Sequence, residues 1–146
     1  MDAKYVIVSL VTAAIGTLGF SILFYIHPRR LTLATLGGVL CTAVYLLAGY
    51  LIGGELLPNL LAGLVGAGFS EVCARLTKVP VPVYMVPCVM PLVPGSALYA
   101  AMFQFVAGNY NAAADAAMTT LVVALGIAGG IVIASVVGLL TRPHRR

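Results

Sequence analysis

The chain has 146 residues, the size of one domain, yet 62% are hydrophobic, only 8% are charged, and the mean hydropathy is +1.10. A soluble domain carries about 25% charged residues, so four acids and eight Lys/Arg could not cover a globular surface. The chain reads as an all-α integral membrane protein. Its net charge of +4 does not point to nucleic acid, because the basic residues form no cluster on a soluble helix and no aromatic platform accompanies them.

A bilayer core asks for roughly 20 apolar residues per helix. The first run, about residues 5–26, is too long for the apolar core of a signal peptide. The His27-Pro28-Arg29-Arg30 that follows offers no small-residue cleavage site, so the run stays as a span. The second runs about 32–53 and ends at Gly53-Gly54-Glu55. The third runs about 56–77, with Pro58 in its first turn, where a missing N–H costs nothing. The fourth, about 81–107, is interrupted near 90–95, since five of the eight prolines (Pro80, Pro82, Pro87, Pro91 and Pro94) fall within it or at its start. Its two pieces would rise only ~14 and ~18 Å, each too short for a ~30 Å core, and they suffice together as one discontinuous span. The fifth runs about 114–140 and stops at Thr141-Arg142-Pro143.

Charge placement tests this count. Five spans with an external N-terminus put Arg29, Arg30, Arg75, Lys78, Arg142, Arg145 and Arg146 on one side and only Lys4 on the other. Four spans would divide the eight cations equally, which no positive-inside bias produces. Asp2, Glu55 and Asp115 all fall on the outer side of the five-span arrangement. The expectation is therefore N-out and C-in, with residues 1–146 as a single transmembrane domain in contact with lipid.

Helix contact in lipid relies on small residues that let backbones approach. Ser9, Ala13, Thr17 and Ser21 recur at four-residue intervals in the first span. Ala62, Gly66, Ser70 and Ala74 do so in the third, and Gly126, Gly130, Ala134 and Gly138 in the fifth. Bundle packing accounts for such stripes, and a sliding surface is the functional alternative. Cys41, Cys73 and Cys88 sit in apolar stretches without ligand spacing, and His27 and His144 sit beside Pro and Arg at span ends. No metal, no other cofactor and no enzymatic motif is expected from this inventory.

Glu71 is the acid placed inside a span, on a face shared with Gly63, Ala67 and Arg75. An intramembrane carboxylate is a functional candidate by default, here for proton coupling or gating. The structural alternative is an i,i+4 pair with Arg75.

The most informative stretch is Pro91-Leu92-Val93-Pro94-Gly95-Ser96. Prolines remove backbone donors and break the helix near mid-membrane, where exposed backbone survives only if it is buried in protein or lines a wet cavity. Ser96 is the expected N-cap of the second half-helix, whose unbonded N–H groups and positive end would face that cavity. Such half-helix ends hold anionic groups in secondary transporters. The alternative is a packing kink with no ligand.

This stretch, with Tyr99 and Met102 following, resembles the Pro-x-x-Pro-Gly-x-x-x-Tyr signature of the threonine/serine exporter family. The end of the first span, Phe24-Tyr25-Ile26-His27-Pro28-Arg29-Arg30-Leu31, is similar to that family's Phe-x-x-Pro-x-Arg turn. More narrowly, the chain looks like the small membrane subunit of two-component members, some of them associated with succinate export. The resemblance implies a multi-pass protein of the bacterial inner membrane that exports small amino acids or dicarboxylates. It also implies a larger partner subunit with five spans and an extra soluble domain, and leaves room for a like-oriented homo-oligomer in isolation. Substrate binding would then fall to Pro91, Pro94, Gly95, Ser96 and Tyr99, which would receive a small carboxylate-bearing solute. A non-transporting scaffold subunit and a channel component are the competing readings.

Overall fold

The computed structural model describes residues 3–141, and Asp2 and the arginines at 142, 145 and 146 lie outside the described residues. Within them the fold is all-helical. Helix α1, Ala3–Leu23, ends where Tyr25 takes a left-handed φ of 54°. Pro28 cannot follow a helical residue comfortably, so His27 is extended and α2, Pro28–Ile52, starts on the proline itself. Proline at the first position explains why the helix begins ahead of the expected 32. The imidazole Nδ1 of His27 caps it by accepting from the Arg29 N–H at 3.4 Å. Gly53 and Gly54, both at φ 72°, turn the chain into α3, Leu56–Thr77. Lys78 closes α3 in the left-handed region, with its N–H on the Ala74 carbonyl.

The Pro-rich stretch forms α4, Pro82–Val89, and a 3-10 turn, Met90–Leu92, after which α5, Gly95–Val106, leaves at a 53° bend. Val93 is extended because Pro94 excludes the helical conformation at the residue before it. The break therefore falls at 93–94, inside the expected interval. Gly108, at φ 81°, makes the turn into α6, Tyr110–Leu140. At 31 residues, α6 is ~46 Å long and exceeds a ~30 Å core, so it tilts or projects beyond it. By length and composition four helices can cross a membrane, or five if the bent α4–α5 pair is one span.

The small-residue stripes are the seams of the bundle. Ala13, Thr17 and Ser21 of α1 are buried, as are Ala62, Gly66, Ser70 and Ala74 of α3 and Gly126, Gly130, Ala134 and Gly138 of α6. Helix α3 is central, packed against α2, α4 and α6. Its contact with α6 is backbone on backbone: a Cβ at Gly63 would lie 2.8 Å from the Ile127 carbonyl oxygen, and one at Gly126 2.7 Å from that of Leu56. The sulfur of Cys41 fills the space above Gly66, and that of Cys88 the space above Gly37. Buried Tyr84 donates its hydroxyl to Thr77 Oγ1 at 3.1 Å, tying α4 to the end of α3. Outward faces carry Ile7, Ile15, Leu36, Leu51, Val132 and Val136, all largely exposed, as lipid-facing surfaces require.

Candidate functional site

The helix break positions the site. Pro94 is the N-cap of α5 and makes no side-chain cap; Ser96 is the second residue inside the helix. The expected Ser96 cap is thus corrected: with its φ set by the ring, Pro94 caps the helix two residues before Ser96. The Gly95 N–H donates back to the Val93 carbonyl at 2.8 Å, and the Leu98 N–H to the Pro94 carbonyl at 3.0 Å. Among the described residues no backbone carbonyl takes the N–H of Ser96 or Ala97.

Ser96 and Ala97 border a half-open cavity of about 650 Å³ that reaches from the break to the end of the bundle holding Tyr5 and Glu55. Pro91 and Pro94 form its floor beside Ser96. Gly95 and Tyr99 are not part of its lining. Gly95 is exposed, with nothing within 4 Å of where a Cβ would stand. Tyr99 is 70% exposed and stacks on Phe103, with centroids 6.2 Å apart.

The opposite walls come from helices that the Pro-rich motif does not announce. Ser9 and Thr12 of α1, Thr42 and Tyr45 of α2, Asn59 of α3 and Thr119 of α6 all line the cavity, together with Glu55. Thr42 donates its hydroxyl proton to the Gly38 carbonyl at 3.0 Å and Thr119 to that of Asp115 at 3.1 Å, so their oxygens meet the cavity as acceptors. Asn59, 2% exposed, is anchored by its amide nitrogen on the Glu55 carbonyl at 2.6 Å. The lining therefore combines hydroxyl acceptors and the Glu55 carboxylate with the Ser96 hydroxyl and the helix-start amides of α5. Among the described residues neither Lys nor Arg lines it. A solute that carries both an ammonium and a carboxylate finds partners of both kinds there.

Sequence reasoning passed over these wall residues. The legible signal was Asn59, a large amide one turn after Glu55 in an apolar run.

Glu71 and Arg75 lie elsewhere, near the bundle end that carries Lys78. Glu71 is 8% exposed, and an Arg75 guanidinium nitrogen donates to its Oε2 at 3.2 Å. The same nitrogen donates to the Gly138 carbonyl at 2.6 Å and to Thr141 Oγ1 at 3.0 Å. Arg75 thus binds the α3 carboxylate and caps the last turn of α6 in one contact set. A Cβ at Gly138 would stand 2.6 Å from Glu71 Oε1, so the carboxylate would have to shift. Among the described residues no His/Cys/Asp/Glu group is assembled for a metal ion.

A family model described as Threonine/Serine exporter, ThrE, matches residues 9–137, spanning every helix just described. No curated protein and no solved structure matches the chain.

Proposed function

The chain belongs to the threonine/serine exporter family, and on that premise we propose that it carries a small amino acid out of the cytoplasm through the cavity at the α4–α5 break. It is a membrane-integral protein of transporter type. The observation that supports the finer reading is a single polar lining that holds both the Glu55 carboxylate and Ser96 at the start of α5. A dicarboxylate such as succinate would bring two negative charges into a lining that holds the Glu55 carboxylate and, among the described residues, no Lys or Arg. An amino acid brings its ammonium to that carboxylate and its own carboxylate to the α5 start. The lining favours threonine or serine over succinate.

In this reading the membrane is the bacterial inner membrane and the Tyr5–Glu55 end faces outward. Arg29, Arg30, Arg75 and Lys78 on the opposite end support that orientation through the positive-inside bias. A larger five-span subunit of opposite orientation completes the exporter, because an odd number of spans inverts the second half of a five-plus-five pair.

Efflux assays test the proposal. Cells expressing the chain with its presumed partner should export L-threonine in a way that survives ATP depletion and collapses with the proton gradient. Succinate efflux should be weaker. Ser96→Ala removes one donor to a charged group and should weaken apparent affinity about tenfold. Assembly with the partner but no efflux of either solute would favour the scaffold, and single-channel currents the channel. Full efflux by the chain reconstituted alone would remove the need for a partner.

A further inference from the structure

The opposite end of the bundle holds a second pocket, of about 430 Å³, between the end of α1, the start of α2 and α4. Its lining includes Phe24, His27, Arg30, Pro82 and Val86 and, among the described residues, contains no acid. The starts of α2 and α4 border it through His27, Arg30 and Pro82, but their first N–H groups are taken by His27, Pro80 and Val81, so Arg30 is the cationic group of the pocket. Among the described residues no carboxylate is paired with Arg30. The pocket therefore has the electrostatic character opposite to that of the larger cavity, where Glu55 is the charged group.

The two spaces share α1. Phe20 lines the larger cavity and Phe24 the smaller pocket, and their rings stack with centroids 6.4 Å apart and 24° between planes. On the buried side of this stretch lie Thr17 and Ser21, each 0% exposed. The Thr17 hydroxyl lies directly against Gly38. Among the described residues neither Thr17 Oγ1 nor Ser21 Oγ has a hydrogen-bond partner. Helical Ser and Thr ordinarily bond the carbonyl four residues back, as Thr42 and Ser70 do here. Neither residue lines either space: Ser21 lies between Phe20 and Phe24 in the sequence, and Thr17 is packed on Gly38.

We propose that the pocket at Arg30 is a second substrate site, an intake site that receives the carboxylate of the amino acid, and that the stacked Phe20–Phe24 pair divides it from the larger cavity. This rests on the transport reading above. The substrate then meets a cationic site first and a carboxylate-bearing cavity second, with the aromatic pair between them.

The test uses permeabilised membrane vesicles from cells expressing the full-length chain with its partner. A thiol introduced by Val86→Cys, or by Val83→Cys should the first variant not accumulate, is reacted with an anionic methanethiosulfonate. L-threonine at about ten times its half-saturating concentration should slow this reaction about tenfold by mass action. Adding Arg30→Gln should raise the protecting concentration about tenfold, as the loss of one charge-assisted contact implies. Phe24→Ala should increase downhill threonine leak after the gradient is collapsed. Wild-type efflux without protection of the thiol overturns the intake site and leaves transport standing. Protection that follows the phosphatidylglycerol content of the vesicles and ignores threonine assigns the pocket to lipid and overturns it too. Unchanged leak in Phe24→Ala overturns the divider. If the wild type moves no amino acid, the transport reading falls and the intake site falls with it.

Discussion

Gly130→Ala is expected to lower the stability of the bundle by about 3 kcal/mol, the upper part of the usual overpacking range, while Gly129→Ala raises it slightly. The two glycines are neighbours on α6, and both substitutions gain the same helix propensity, about 1 kcal/mol. Their surroundings differ. A Cβ at Gly129 meets one flexible atom, Leu60 Cδ1, at an ordinary 3.8 Å. A Cβ at Gly130 runs into the Leu60 carbonyl oxygen and stands 2.6 Å from the Leu64 backbone nitrogen. Those atoms belong to the α3 backbone and cannot swing aside, so α3 and α6 must separate. Separation would also disturb Asn59, whose Cβ lies 3.1 Å from the Cβ position of Gly126, and through it the cavity wall. Thermal unfolding of both variants in the same detergent measures the difference. Equal midpoints would show that the α3–α6 seam is not as close as the structure has it.

The second large effect concerns Arg75. Arg75→Ala removes a donor from the buried Glu71 carboxylate, from the Gly138 carbonyl and from Thr141. Breaking a buried ion pair costs about 3–5 kcal/mol. The Arg75 side chain is 41% exposed, so about 2 kcal/mol is the expected loss once solvent screening is allowed for. Glu71→Gln should lose less, because Arg75 keeps the α6 end. The double change Glu71→Gln with Arg75→Gln should recover much of the folded protein and most of the efflux, since it leaves no uncompensated charge. A double variant that folds well but has lost gradient-driven efflux would instead make Glu71 a proton-carrying group. Detergent stability and efflux, measured on the same four proteins, separate the two roles.

Much of the architecture was legible because its causes are local. The Gly53-Gly54 pair and Pro94 act on the conformation of their own or the preceding residue, so that turn and the fourth-span break could be read directly, whereas α2 starts on Pro28, ahead of the expected 32. Four-residue spacing of Gly, Ala, Ser and Thr needs only helical geometry to define a face, and those faces are buried. At the candidate site the reading reached Pro91, Pro94 and Ser96, which share the cavity. It did not reach Thr12, Tyr45 or Asn59, each of which resembles the ordinary polar residues of any span until three helices converge.

Composition by itself determined that this chain is membrane-embedded, because so few charges cannot hydrate a globular surface. Proline and glycine chemistry determined where its helices stop. Only the tertiary structure decided what the break faces. Helix α5 leans on α6 with Tyr99 turned outward onto Phe103, and this leaves Ser96 opposite α1, α2 and α3. It likewise decided that Arg75 reaches the end of α6 as well as Glu71. Both outcomes depend on how each helix is rotated about its own axis. That rotation is set by close contacts such as Gly130 on Leu60 and Gly38 on Thr17, between residues far apart in the chain.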